Sequence, residues 1–218
     1  MRVNSKQMKV LILGANGGIG RFAVKAALGR GYKVVAYVRR DVTCFGNPDG
    51  LEVRIGTTSD TPALLEAMRG CDAVINCIGV SMRLFHEDVP AVEANRAILS
   101  AMRRVGVSRY VTWATPSVRS REDVRSYVTV LPGLLASVFL PKAKKCISRI
   151  VSDVERSNLQ WTVVRFMAPK DRAASGTVKV SFGDKRIRFG ISRADIASFM
   201  VSQLSTDEYV GRMPIIGS

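Results

Sequence analysis

The segment Lys9-Val-Leu-Ile-Leu-Gly-Ala-Asn-Gly-Gly-Ile-Gly20 decides how the rest of the chain is read. Its first half is short, apolar and branched, the pattern of a strand buried on both faces. Its second half sets Gly14, Gly17 and Gly20 three residues apart, with Gly18 as a fourth glycine. Beyond them Phe22, Ala23, Ala26, Ala27 and Leu28 recur at helical spacing until Gly31 stops the run. Strand, glycine turn and helix in immediate succession are the context that a dinucleotide-binding turn requires. Gly14 allows the tight turn, Gly17 and Gly18 let the backbone approach a pyrophosphate, and Gly20 permits close helix packing. The free N–H groups at the helix start then face the anion. No Lys-Ser or Lys-Thr follows, which excludes an ATP-binding P-loop.

Outward from this point, strands and helices alternate. Lys33-Val-Val-Ala-Tyr-Val38 reads as a second strand, residues 51–55 as a third, 61–69 as a short helix and Ala73-Val-Ile-Asn-Cys77 as a fourth strand. A helix over 89–105 leads to a fifth strand, Tyr110-Val-Thr-Trp113, and a helix ending near Asn158 precedes the sixth, Trp161-Thr-Val-Val-Arg165. This alternation predicts an α/β fold, a Rossmann-type doubly wound parallel sheet in the order 3-2-1-4-5-6. Residues 178–182 and 185–189 flank Gly183-Asp184 and predict a hairpin within 170–190, on the substrate side of a small C-terminal portion. Ser192-Arg-Ala-Asp195 fits a capping box that opens a last helix. With no internal repeat, residues 1–218 read as one domain, the size expected of a single α/β unit.

Apolar residues make 47% and charged residues 23%, which argues against a disordered chain. The 33 Lys and Arg against 18 Asp and Glu leave +15, a field that attracts nucleotides, nucleic acid or an acidic membrane surface. Between Arg96 and Arg156 lie 12 basic and 4 acidic residues, so more than half the excess sits there. No zinc-finger, RNP or basic-zipper pattern appears and aromatics are only 7%, so no specific nucleic-acid binding is expected. Cys44, Cys71, Cys77 and Cys146 form no C-x-x-C pair, which argues against zinc and disulfide frameworks, and no metal site is expected. The single histidine, His86, reads as a surface residue in a polar loop, and no G-x-S-x-G elbow supports a hydrolase. The leader before the first apolar run is too short for a secretory signal or transit helix, so a cytoplasmic location is expected.

At the end of the second strand, where NAD-specific folds carry an acidic side chain, the chain reads Val38-Arg39-Arg40. A guanidinium there suits the 2′-phosphate of NADP(H) and favours it over NAD. Solvated surface arginines are the alternative, and Asp41 lies close by.

The chain also resembles a known family, the atypical short-chain dehydrogenase/reductases with an NAD(P)-binding fold, including the biliverdin-IXβ/flavin reductases. The pieces that carry the resemblance are Gly14-Ala-Asn-Gly-Gly-Ile-Gly20, Val38-Arg39, Asp72-Ala-Val-Ile-Asn-Cys-Ile-Gly79, Gly106-Val-Ser-Arg-Tyr-Val111, Leu159-Gln-Trp-Thr-Val-Val-Arg165 and Ser192-Arg-Ala-Asp-Ile-Ala197. The resemblance implies that Gly14, Asn16, Gly17, Gly18 and Ile19 wrap the pyrophosphate and that Arg39, with Arg40 beside it, meets the 2′-phosphate. It sets Thr57 and Thr58 near adenine, Cys77, Ile78 and Gly79 along the ribose, and Phe166 and Met167 beside the nicotinamide. Where the family commonly has Arg-Pro, this chain has Arg165-Phe166.

Short-chain dehydrogenases with full chemistry use Tyr-x-x-x-Lys, the lysine lowering the tyrosine pKa for proton transfer. Here Leu131 stands four residues after Tyr127 and Ala114 four after Tyr110, so neither tyrosine forms the pair. Thr115 resembles the family position often filled by Ser, where a hydroxyl orients a substrate carbonyl; a strand-end hydroxyl that satisfies backbone is the plainer reading. Hydride chemistry does not require such a base when the acceptor is electron-poor and solvent supplies the proton. Lys142, Lys144 and Lys145 either attract an acidic substrate or form a solvated helix face.

Residues 117–149 form a variable excursion from the minimal fold. Within it, residues 128–140 carry no charge and are bounded by Arg119, Arg121 and Arg125 on one side and Lys142, Lys144 and Lys145 on the other. Thirteen residues are too few to cross a bilayer, which takes about 20. The stretch reads as a substrate lid, a dimer contact or a basic-flanked surface resting on a membrane, and Pro132 and Pro141 argue against one continuous amphipathic helix. The expected function is an NADPH-dependent oxidoreductase, a monomer or homodimer, acting on a small conjugated or aromatic acceptor of flavin, quinone or carbonyl type. The alternative is a non-catalytic NADP(H)-binding redox sensor or accessory subunit of a larger complex.

Overall fold

The computed structural model describes residues 7–40, 45–80 and 89–218. Asp41, Cys44 and His86 lie outside the described residues, as do residues 1–6 of the leader. The order along the chain is β1 (Lys9–Leu13), α1 (Gly20–Gly29), β2 (Lys33–Val38), β3 (Leu51–Ile55), α2 (Thr61–Met68) and β4 (Ala73–Asn76). It continues with α3 (Val89–Val105), β5 (Arg109–Ala114), α4 (Tyr127–Phe139), α5 (Pro141–Glu155) and β6 (Gln160–Arg165). The chain ends with β7 (Lys179–Ser181), α6 (Arg193–Ser202) and β8 (Ile215–Gly217).

These strands build one sheet in the order β3-β2-β1-β4-β5-β6-β8-β7, in which the expected 3-2-1-4-5-6 core is parallel throughout. Strand alternation divides the hydrophobic residues between the two faces. Leu11 and Leu13 point to the side covered by Leu64, Met68, Ile98 and Met102 of α2 and α3 and by Ile147 and Val151 of α5. Val10 and Ile12 point to the other, under Ala23, Val24 and Ala27 of α1 and Ile196 and Met200 of α6. Burial on both faces is why β1 reads as an unbroken apolar run. Among the described residues, no helix is long and apolar enough to cross a membrane.

The carboxyl-terminal edge of the sheet differs from the arrangement expected from sequence. Residues 178–182 and 185–189 do not pair with each other as a hairpin within 170–190; β7 pairs antiparallel with β8, which lies parallel to β6. The Gly183-Asp184 bend is closed by side chains instead. The Asp184 carboxylate accepts from the Phe182 N–H at 2.9 Å, and the Ser181 hydroxyl donates to the Lys185 carbonyl at 2.8 Å. Residues 185–189 dock against α4, where Ile187 packs with Val128 and Ile215 and its carbonyl accepts from the Tyr127 hydroxyl at 2.8 Å. The capping box is also only half formed. The Ser192 hydroxyl accepts from the Asp195 N–H, whereas the Asp195 carboxylate accepts from Ser175, Gly176 and the Ser192 hydroxyl and ties down the loop after β6. Burial alone would raise the Asp195 pKa, but these hydrogen bonds outweigh it and hold the carboxyl below its ordinary range.

Candidate functional site

The glycine turn leaves β1 at Gly14, whose φ of +68° lies in the left-handed region. A Cβ on Gly14 would sit 2.9 Å from the backbone of Cys77 and Ile78, so the turn and the end of β4 are pressed together there. At Gly20, the first residue of α1, a Cβ would come within 2.1 Å of the Gly14 carbonyl oxygen. The Gly17 N–H donates to that same carbonyl at 2.9 Å and completes the bend. The result is a backbone cradle open to the outside, at the carboxyl ends of β1 and β4, where the strand order reverses and doubly wound sheets bind their ligands.

A cleft of about 570 Å³ runs from this cradle across the sheet edge. Its walls include Gly14, Asn16, Gly17, Arg39, Thr57, Thr58, Cys77, Ile78 and Gly79, all expected to meet a cofactor. Arg40 is exposed and does not line the cleft. Tyr37 is a residue that sequence reasoning missed, having read it only as part of β2. Its hydroxyl donates to the Thr57 carbonyl at 3.0 Å and fixes the threonine wall, and Gly56 is small because that hydroxyl passes over it.

A second chamber of about 670 Å³ adjoins the first, and the two share Gly17, Cys77, Gly79 and Val80. Gly18, Ile19, Thr115, Phe166 and Met167 line this chamber rather than the cleft, on the side where a nicotinamide would end. Its wall is mostly apolar. The Trp113 and Phe166 rings stack with centroids 5.7 Å apart, and the Trp113 indole N–H donates to the Ile78 carbonyl at 2.9 Å. The Thr115 and Ser117 hydroxyl oxygens lie 2.6 Å apart at the carboxyl end of β5, so Thr115 has a side-chain partner that the sequence did not suggest. Cys77 is desolvated here, and burial pushes its thiol up to about 12, so it stays neutral and unreactive at ordinary pH.

Among the described residues, two cations reach the chamber. The Lys144 ammonium donates to the Ser137 hydroxyl at 2.7 Å, while Lys142 and Lys145 are exposed outside. Arg193, at the start of α6, lies over Gly18 and is paired with Asp171 at 2.5 Å. Lys144 is one of the three lysines that the sequence offered to an acidic substrate, whereas Arg193 was missed because it lies far from Lys144 in sequence.

The far side of the chamber is held by a buried clamp. Arg165, at the end of β6, is fully buried; its Nη1 donates to Asp123 Oδ2 at 2.7 Å and its Nη2 to Asp123 Oδ1 at 2.6 Å. The same guanidinium donates to the carbonyls of Val118 and Met213. It therefore fixes the 117–126 loop, which leads into α4, against the strand that leads to Phe166 and Met167. Just beyond, Ala168 takes φ of +53°, a left-handed conformation costing an ordinary residue about 1–2 kcal/mol, as the chain turns under the chamber.

The excursion itself forms two helices. Pro141 opens α5, where a missing N–H costs nothing, and this splits the stretch at Leu140 as the prolines imply. Pro132 instead lies inside α4, buried against the body of the protein. Pro132, Leu135, Ala136 and Phe139 of α4, with Lys144 and Ile147 of α5, wall the chamber opposite the sheet.

A parallel sheet of this order with a glycine cradle at its reversal point defines a Rossmann-type dinucleotide-binding protein. More particularly, the chain belongs to the NAD(P)H-binding family, whose model matches residues 14–207. This agrees with the likeness to atypical short-chain dehydrogenase/reductases. Solved structures that share its fold over nearly the whole chain include three examples. The oxidoreductase ylbE from Lactococcus lactis superposes with a TM-score of 0.76 at 17% identity, covering 97% of this chain and 91% of that one. A short-chain dehydrogenase/reductase from Veillonella parvula gives 0.77 at 14% identity, covering 97% and 94%. ChuY, an anaerobillin reductase from Escherichia coli O157:H7, gives 0.73 at 18% identity, covering 96% and 97%. None of the curated proteins matches the chain in sequence.

Proposed function

We propose that this protein is an NADPH-dependent oxidoreductase that reduces a small conjugated or aromatic acceptor of flavin, quinone or carbonyl type. The observation that carries the reading is the shared wall of Gly17, Cys77, Gly79 and Val80, through which the cofactor cleft opens into an aromatic-walled chamber. The cradle fits a pyrophosphate, since the space a Cβ would fill at Gly14, Gly17 and Gly20 is crowded by backbone, at 2.9, 3.0 and 2.1 Å, so only glycine lets the turn close beside the free N–H groups of the helix start. The reduced nicotinamide supplies the hydride when bound.

In this reading Arg39 pairs with the 2′-phosphate, and Tyr37 holds the Thr57 carbonyl in place along the adenine side. Trp113 and Phe166 orient a flat acceptor by stacking, and Lys144 meets an anionic group on it. The Thr115 hydroxyl, fixed by Ser117, directs a proton toward the acceptor oxygen, and solvent replenishes it. Helix α4 acts as the lid of the 117–149 excursion and keeps bulk water from the chamber. The test is steady-state oxidation of NADPH with a panel of flavins, quinones and carbonyls. Turnover with at least one class, reduced several-fold in Thr115→Val by loss of about 1 kcal/mol of hydrogen bonding, supports the reading. Tight cofactor binding with no turnover on any acceptor would replace it with a non-catalytic, redox-sensing role.

A further inference from the structure

Helix α4 contains 13 residues and no charged side chain. Val128, Thr129 and Pro132 are buried beneath it, yet Leu131, Leu134, Val138 and Phe139 are 44%, 61%, 72% and 60% exposed. A surface helix ordinarily turns a polar face to water, so an apolar outer face marks a contact surface. Exposed cations flank both ends: Arg119, Arg121 and Arg125 before the helix, and Lys142, Lys145 and Arg149 after it.

That arrangement selects the occupant. A second copy docked through the same face would bring cations against cations in either helix orientation, because both ends are basic. A surface that is apolar at its centre and anionic around it is complementary, and the helix, about 20 Å long, fits flat at the headgroup level of a bilayer. We propose that α4 and its flanking cations dock this protein onto an anionic lipid bilayer. Leu135 and Phe139 belong both to the exposed face and to the chamber wall, so docking turns the mouth of the chamber toward the lipid. On the reading of that chamber as the acceptor site, the acceptors it takes are those that partition into the bilayer.

The test is flotation of the whole chain with vesicles of phosphatidylcholine alone or with about 30% phosphatidylserine, at about 0.1 M salt. The expected result is association with the anionic vesicles only. It weakens about tenfold or more in Leu131→Ser/Val138→Ser and, independently, in Arg121→Gln/Arg125→Gln. None of these four side chains lines the cleft or the chamber, so an unchanged melting temperature and unchanged NADPH binding show that both variants are folded. Absence of flotation with anionic vesicles overturns the proposal, as does equal flotation of both variants. A homodimer in light scattering that Leu131→Ser/Val138→Ser dissociates, without vesicle binding, assigns the face to a second copy instead. Flotation does not depend on NADPH oxidation, so a failed acceptor screen and a failed docking surface are read separately.

Discussion

Replacing Asp123 with Asn keeps the shape of the clamp and removes its charge. The Arg165 side chain is then a fully buried guanidinium whose carboxylate partner among the described residues, 2.6 Å away, has become neutral. Leaving one member of a buried ion pair uncompensated costs about 3–5 kcal/mol. For a chain of this length each kcal/mol lowers the melting temperature by about 2–4 °C, so the variant should melt about 6–20 °C below the parent. Arg165→Met strands the carboxylate in the same way and should cost a comparable amount. The double variant Asp123→Leu/Arg165→Met buries no charge and should be much less unstable than the sum of the two singles. Thermal and urea unfolding followed by circular dichroism give the double-mutant cycle. Because the clamp lies on the chamber side, Asp123→Asn should retain NADPH binding at temperatures where it is folded. A shift of less than about 2 °C, the behaviour of an exposed ion pair, would refute the assignment of this pair as the anchor of the 117–126 loop.

Other outcomes follow from the glycines and the buried titratable groups. Two glycines of α1 should respond in opposite directions. Gly20→Ala, whose Cβ meets backbone at 2.1 Å, should cost about 1–3 kcal/mol or more and abolish cofactor binding, whereas Gly29→Ala, with open space around it, should stabilise by about 0.5–1 kcal/mol; urea midpoints decide both. Burial pushes the Cys77 thiol and the Tyr110 hydroxyl up to about 12 and the Cys71 thiol up to about 11. The fold therefore favours their neutral forms, a contribution fully present below about pH 9 and lost as pH rises through 11 to 12 while the unfolded chain ionises first. The urea midpoint should fall between pH 8 and pH 10, and a constant midpoint would contradict the burial of these groups.

The central fold was legible because each of its signals is local. β1, the glycine turn and α1 announce themselves within about twenty residues, and the alternation of later runs fixes the crossovers and hence the strand order. The glycine turn was legible for the same reason, since a left-handed turn at Gly14 and the close packing at Gly20 need glycine at set positions. What was hidden depends on distant pairing. β8 spans only Ile215–Gly217, too short for a periodic pattern, and exists because β6 and β7 offer it partners on either side. The apparent hairpin at Gly183-Asp184 failed because β7 takes β8 as its partner, while Ile187 packs with Val128 and Arg188 exchanges backbone hydrogen bonds with Ser218. Asp123 and Arg165 are 42 residues apart, and nothing in either neighbourhood points to the other. Pro132 inside α4 shows the same limit, because its burial against the body offsets the hydrogen bond that proline forfeits.

The proposed activity needs a nicotinamide dinucleotide seated in the cradle with Arg39 against its 2′-phosphate. Titration of the protein with NADPH and with NADH, followed by cofactor fluorescence at low and moderate salt, tests this most directly. The prediction is NADPH binding that survives moderate salt and is about tenfold or more tighter than NADH binding, the worth of one charge-assisted contact, with Arg39→Ala erasing the difference. Binding of neither cofactor, or equal binding of both by the parent chain, would contradict it.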